Sequence, residues 1–316
     1  MTDLIELRHV TKRYRSWTGR EVLALDDLSL DLRAGEVFGL AGPNGAGKST
    51  LISLLLGFFG PTHGEVRIGG VEPRRYVERH GIGYLSELIN VPPAWRVTSA
   101  LRRYALLAGV PANALDTRVG SLLTLLGLEE HAGKRVRQLS KGNLQRLGLA
   151  QALLGEEHVI VLDEPTHGLD PVWTQRFRDV VVELRRPERI IVIASHNLDE
   201  LSRLADRVGI IDHGRLQRVV DMRAPGELAR VEAPYRIVLN RGKERATEMF
   251  PGAREIDSAP GEFELPPLSL EMLNAGLARL IAAGVVVSAV YPVHSALEQQ
   301  FREAVGVTES RTERSR

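Results

Sequence analysis

The stretch GPNGAGKST, Gly42 to Thr50, sets glycines, a lysine and hydroxyls at the spacing G-x-x-x-x-G-K-S. Gly42, Gly45 and Gly47 let backbone N–H groups curve around an anion, Lys48 brings a point charge to the outer phosphates of a nucleotide, and the Ser49 hydroxyl suits Mg²⁺. Pro43, Asn44, Ala46 and Thr50 complete the loop and the turn after it. An apolar run, EVFGLA, precedes it and a helical pattern, TLISLLLGFF, follows. That strand–loop–helix setting separates a phosphate site from a chance glycine turn.

A phosphate loop does not choose among ATPases, GTPases and kinases, so a second element must. The run VIVLDEP, Val159 to Pro165, is an apolar strand ending in two carboxylates, and strand ends of such sheets carry ligands. Asp163 can hold Mg²⁺ through water, and Glu164 can orient or deprotonate an attacking water, a role worth about 10²–10⁴ in rate. Alone, an Asp-Glu pair after a strand reads as a solvated strand end; beside a phosphate loop it reads as catalytic. A third stretch, LSKGNLQR, starts a helix: Ser140 is an N-cap and Gly142 leaves its backbone N–H open to a closely approaching anion. A lysine at positive φ costs roughly 1–2 kcal/mol, so Lys141 is expected in ordinary helical geometry.

In order and separation, GPNGAGKST, LSKGNLQR, VLDEPTHGLD and IVIASHNLDEL resemble the linked motifs of the nucleotide-binding subunit of an ATP-binding cassette (ABC) transporter, over about residues 4–220. The resemblance implies an ATPase that uses ATP and Mg²⁺ and works as two cassettes packed head to tail, each ATP lying between the phosphate loop of one copy and the signature helix of the other. Ser140 and Gly142 would then face the γ-phosphate held by the second copy's Lys48, Asp170 would cross the dimer interface, and His196 would contact the γ-phosphate and the attacking water. Without that context His196 is a satisfied histidine at a strand end. Tyr14 in KRY matches the aromatic that stacks on adenine, with Trp17 as its rival. Where the family usually carries glutamine, after HGIGYLS, this chain has Glu87. A carboxylate can still bind Mg²⁺, but it adds negative charge near the triphosphate and donates no hydrogen bond.

The elements that must position these groups are legible in outline. Leu4 to Val10 and Leu28 to Leu32 alternate as half-buried strands of an antiparallel edge. Between Glu87 and Leu139, TSALRRYALLAGV and RVGSLLTLLGLEEHA have helical spacing and give an inserted helical subdomain at about residues 88–150. Val91, Pro93 and Trp95 there either meet a partner or pack within their own domain. Past Val220 a linker-like APGELARVEAP leads to a strand YRIVLNR, a helix from Ser269 to Ala283, a strand VVVSAVYPV and a helix opening on the capping pattern Ser295–Glu298. The expected fold is therefore α/β: a P-loop NTPase core over residues 1–220 with an antiparallel β edge, then a C-terminal α/β appendage over 221–305, and a disordered tail at 306–316. The appendage resembles the C-terminal extension of cassettes serving ABC-2-type exporters.

Composition limits the partners. Of 316 residues 43% are hydrophobic, enough for a sizeable core, and 41 Lys and Arg nearly cancel 40 Asp and Glu. No global field argues for nucleic acid, and none is expected as a partner. The absence of cysteine excludes disulfides and thiolate chemistry. The start, MTDLIELRHV, carries early charges unlike a secretory signal, and the apolar run from Leu280 to Val293 is too short to span a bilayer. We therefore expect a cytoplasmic subunit, peripheral on the membrane, that powers export through separate ABC-2-type permease subunits together with a second copy of itself. The rival readings are a soluble ABC protein acting on ribosomes or nucleic acid, and a nucleotide kinase, which needs no signature helix or HGLD loop.

Overall fold

The computed structural model describes residues 5–15, 19, 21–223 and 233–306. Trp17, most of the APGELARVEAP linker and the tail from 307 onward lie outside these residues. The chain divides into two compact units, residues 1–221 and 222–316.

The first unit is built on two sheets. Strands β1 (Ile5–Arg15) and β2 (Glu21–Leu32) pair antiparallel, and β4 (His63–Ile68) joins β1 on its other side. The pairing of β1 with β2 is broken by register shifts between Leu7 and Arg13, where His9 and Asp27 take positive φ. The second sheet has the order β5-β6-β7-β3-β8-β9, from β3 (Val37–Ala41), β5 (Gly83–Leu85), β6 (Val159–Asp163), β7 (Ile190–Ser195), β8 (Arg207–Asp212) and β9 (Arg215–Asp221). All its pairings are parallel except β8 with β9. Every residue of β3, β6 and β7 is buried, which explains why these strands read as unbroken apolar runs instead of alternating.

Sequential register brings the functional ends into one row. Asp163 pairs with Ala194, and Ser195 with Ala41, so the residues that follow β6, β7 and β3 emerge side by side at the carboxyl edge. Buried charge anchors the start of β3. Asp206 accepts a hydrogen bond from Val37 N at 2.8 Å while Arg185 donates to the same carboxylate, and Glu36 pairs with Arg207 at 3.0 Å. Helix α1 (Lys48–Leu55) follows the loop after β3, and α2 (Pro73–His80) follows β4.

The inserted region consists of α3 (Val97–Leu107), α4 (Leu115–Leu125) and α5 (Lys141–Ala152). Val91 is buried, and Trp95 packs against Tyr104 with the Arg103 guanidinium 4.3 Å from its ring, so of the three candidate docking residues only Pro93 is exposed. Two helices complete the unit, α6 (Pro171–Leu184) and α7 (Leu198–Leu204). This is the expected α/β architecture, a P-loop NTPase core with an antiparallel edge and a helical insertion.

The second unit is an antiparallel sheet in the order β11-β12-β10-β13, from β10 (Ala233–Arg241), β11 (Arg254–Glu255), β12 (Glu262–Leu268) and β13 (Val286–Pro292). Its helices are α8 (Ala246–Met249), α9 (Leu270–Ala282) and α10 (Ala296–Ala304). Ser269 and Ser295 cap α9 and α10, each hydroxyl accepting from a backbone N–H three residues on. Leu280, Leu273, Phe250 and Ile237 form an apolar core.

Candidate functional site

Four chain segments line a cavity of about 560 Å³ at the carboxyl edge of the parallel sheet: the loop Pro43 to Thr50, Glu87 after β5, Asp163, Glu164 and His167 after β6, and His196 after β7. Val22, Leu23 and Ala24 of β2 form an apolar wall on one side. A volume in this range suits a nucleotide.

The phosphate loop is shaped by its surroundings as much as by its own residues. Gly47 caps α1 at φ 113°, and a Cβ there would meet Ala24 O at 2.6 Å, so only glycine fits between the loop and β2. The Lys48 ammonium donates to Gly42 O at 2.5 Å and to Pro43 O at 3.2 Å. Burial pushes its pKa below the ordinary lysine value, and Glu164, Asp163 and Glu87, in that order, pull it back up. With α1 directed at the cavity by its N-terminus, the loop offers a cation and open backbone N–H groups to an anion.

Facing Lys48 is a group of carboxylates. Burial, reinforced by the charges of Glu87 and Glu164 and opposed by Lys48, raises the Asp163 carboxyl from 3.8 to about 6. A divalent cation relieves that repulsion, and the hard oxygen donors Asp163, Glu87 and Ser49 are of the type Mg²⁺ prefers. Among the described residues no three acidic or imidazole side chains close into a cage of their own.

Glu164 is the most constrained residue here. It is buried and sits at φ 48°, a left-handed conformation that a non-glycine residue holds only when neighbours enforce it. The enforcing bonds are all present: Glu164 N donates to Ala194 O at 2.9 Å, and Gln145 Nε2 donates to Glu164 O and to Pro165 O, both at 3.1 Å. Its carboxylate accepts from His196 N at 3.0 Å and His196 Nδ1 at 2.8 Å through Oε1, and from Ser195 Oγ at 3.2 Å through Oε2. A carboxylate accepts, so His196 carries its proton on Nδ1 and leaves Nε2 for another partner. Oε2, with one bond, keeps a lone pair for water. Sequence reading gave both residues but not their contact, which spans two strand ends that only parallel pairing of β6 and β7 brings together.

The remaining sequence-predicted residues lie elsewhere. Ser140 caps α5, its Oγ accepting from Asn143 N at 3.2 Å, and Lys141 opens the helix in helical geometry. Ser140 and Gly142 do not line the cavity. Asp170 is exposed and N-caps α6, accepting from Trp173 N at 2.9 Å. Tyr14 departs from the expectation: its ring is not part of the cavity but packs edge-on against Phe59 at 5.6 Å, with Lys12 5.4 Å away. Its ladder partner Val22, on the same face of the sheet, and Leu23 form the wall beside the phosphate loop, so Tyr14 stands next to the cavity with its ring turned onto Phe59. His167, which lines the cavity, was missed; its one signal was its place in the HGLD turn beside the acidic pair.

A glycine-rich phosphate loop before α1, an acidic pair at the adjacent-but-one strand end and a histidine between them define a P-loop nucleotide-hydrolysing cassette. The description "ABC transporter" matches residues 25–167 of the chain. Over 309 residues, 98% of each chain, it is 30% identical to the "Uncharacterized ABC transporter ATP-binding protein YhcH" of Bacillus subtilis. The chain therefore belongs to the family of ABC transporter ATP-binding proteins, and it is an ATP-binding ATPase of that family.

Two further relatives bear transport names of opposite sense. One is the "Nod factor export ATP-binding protein I" of Neorhizobium galegae, 36% identical over 68% of this chain and 61% of that one. The other is the "Methionine import ATP-binding protein MetN" of Xanthomonas axonopodis pv. citri, 36% identical over 67% of this chain and 65% of that one. In both, the match spans less than two thirds of the relative. A dimeric ATP-binding cassette solved in a post-hydrolysis state with ADP and Pi shares the fold, with a TM-score of 0.64 and 24% identity over 69% of this chain and 99% of that chain. Among the described residues no helix is long and apolar enough to cross a membrane.

Proposed function

We propose that two copies of this chain close head to tail on two MgATP, hydrolyse them, and drive export through separate membrane permease subunits of the ABC-2 type, from the cytoplasmic face of the membrane. The observation that carries this reading is the convergence of Lys48, Asp163, Glu164 and His196 at one sheet edge, while the capped start of α5 at Ser140 and Gly142 stands apart from that cavity. An anion-binding helix end outside its own cavity suits the nucleotide of a second copy. The dimeric cassette of like fold supports the head-to-tail pair, and the resemblance of the C-terminal appendage to that of ABC-2-type exporter cassettes supports export.

In this reading each residue has a task. The Pro43 to Thr50 loop wraps the phosphates, and Lys48 leaves its loop carbonyls for the outer ones. Adenine rests against the Val22–Leu23 wall, with Tyr14 across the β1–β2 ladder at its margin. Ser49, Asp163 and Glu87 would hold Mg²⁺, which when bound neutralises charge developing on the transferred phosphoryl group. Glu164 takes the proton of the attacking water on Oε2, and His196, held by that same carboxylate through Nδ1, stands beside the γ-phosphate, where Nε2 has to carry a proton of its own to donate to a phosphate oxygen. Ser140 and the Gly142 N–H of the other copy complete the shell around the γ-phosphate, and Asp170 lies at the interface between copies. Residues 1–220 then form the motor and 221–305 an accessory domain.

Purification of the chain with its native membrane proteins tests the reading. Recovery of a multi-span permease together with ATPase activity is the expected result. Recovery of ribosomes or RNA in its place overturns it in favour of a soluble ABC protein, and in vesicles whose ATPase faces outward to added MgATP, release of the cargo instead of its uptake overturns export.

A further inference from the structure

The turn after the acidic pair holds a contact that nucleotide binding does not require. Lys141 Nζ, at the start of α5, lies 2.9 Å from His167 Nε2. An ammonium only donates, so Nε2 accepts and the neutral imidazole carries its proton on Nδ1. The lysine stem lies flat against the turn: a Cβ on Gly168 would meet Lys141 Cδ and Cε at 2.9 Å. A Cβ on Gly142 would lie 3.1 Å from Gly168 O, so the helix start and the turn approach as closely as backbones allow.

The other side of this contact leads to the hydrolytic groups. His167 N donates to Glu164 O at 3.1 Å, and His167 lines the cavity with Lys48, Asp163, Glu164 and His196. The same helix also holds the segment and the start of α6 beyond it. Gln145 bonds the carbonyls of Glu164 and Pro165, and the Arg146 guanidinium lies 3.9 Å over the Trp173 ring.

We propose that Lys141 is a positioning residue for hydrolysis: by donating to Nε2 it fixes the ring and the tautomer of His167 at the rim of its own chain's cavity, so that the start of α5 and the Glu164–Gly168 turn keep one arrangement. Gln145 holds the backbone of this segment, and Lys141 sets the imidazole. A glycine at 141 would keep the anion-binding helix end and lose this setting. The effect on rate rests on hydrolysis at this cavity; the tautomer does not.

Imidazole ¹⁵N–¹H correlation spectra of the full chain, with His167 assigned by the His167→Gln variant, read the contact directly. The unaltered chain should show His167 protonated on Nδ1, and Lys141→Met should move it toward Nε2–H. In steady-state ATPase assays Lys141→Met should lower kcat about three- to tenfold with KM for ATP within about twofold. Lys141→Arg should restore the tautomer and most of kcat. The Lys141→Met, His167→Gln double variant should lose no more than the worse single one. An unchanged His167 signal in Lys141→Met, or additive losses in the double variant, would overturn the proposal. A chain that shows the tautomer shift and yet turns over no ATP, before any substitution, would count against hydrolysis at this cavity and leave the contact standing.

Discussion

Residues 1–221 and 222–316 are both α/β units with apolar cores, yet they treat charge in opposite ways. In the first, Lys48, Asp163, Glu164, Arg146, Glu200 and Asp206 are buried; in the second, no charged side chain is buried among the described residues. Burying charge is unfavourable unless each group is paired or hydrogen-bonded, so such groups persist where something else requires them. Glu200 and Asp206 are held by arginines, Arg178 and Arg185, and serve the frame. Lys48, Asp163 and Glu164 face a cavity and one another, and Glu164 adds a strained backbone. The first unit thus gives up stability at the site, and the apolar core of the second carries no such cost.

Substitutions that separate activity from stability sharpen this contrast. The largest effect should come from Glu164→Gln, which keeps the side-chain volume and removes the base: ATP turnover should fall about 10²–10³-fold, with ATP binding retained, as followed by phosphate release and by nucleotide titration. In the second unit Leu280, fully buried, reverses the pattern. Leu280→Ala should cost about 2–5 kcal/mol in urea unfolding of that unit and leave turnover per folded chain within about twofold. A large loss of turnover there would show that the accessory unit shapes the site.

Asp163→Asn gives the smaller, opposite-signed effect on stability. The folded chain raises the Asp163 carboxyl from 3.8 to about 6, so between these values it holds a proton that the unfolded chain has released. Stability therefore falls as pH rises through that window, and the full cost is present above about pH 6. Without nucleotide, Asp163→Asn should stabilise the chain by about 1–2 kcal/mol at pH 7, a rise of a few degrees in Tm, and lose that advantage below about pH 4. Its Mg²⁺-dependent turnover should be lost. An unaltered Tm at pH 7 would mean that the cluster carries no such strain.

How much of this was legible in the sequence follows from how local each feature is. The phosphate loop, the acidic pair and the caps at Ser140 and Ser295 are encoded within a few residues, and the structure bears out the strand, loop and helix around Gly42 to Thr50. The contacts of Glu164 with His196 and of Lys141 with His167 join residues far apart in the chain, and no periodicity announces them. Tyr14 faces the same side as its cavity-lining ladder partner Val22, but its ring packs on Phe59, a contact between distant segments that the motif position does not announce. Strand β12 went unread because Pro266 and Pro267 within it argue against a strand; the structure tolerates them near its end.

The central claim is that the cavity of one copy is completed by the signature helix of another. The most direct test is the mass in solution of the Glu164→Gln variant, which should bind ATP without consuming it, measured by light scattering with and without MgATP. A monomer that becomes a dimer only with MgATP, and that Gly142→Asp returns to monomer by placing a carboxylate against the phosphate, is the predicted result. A chain that binds MgATP with full affinity and stays monomeric, or a dimer indifferent to Gly142→Asp, would contradict it.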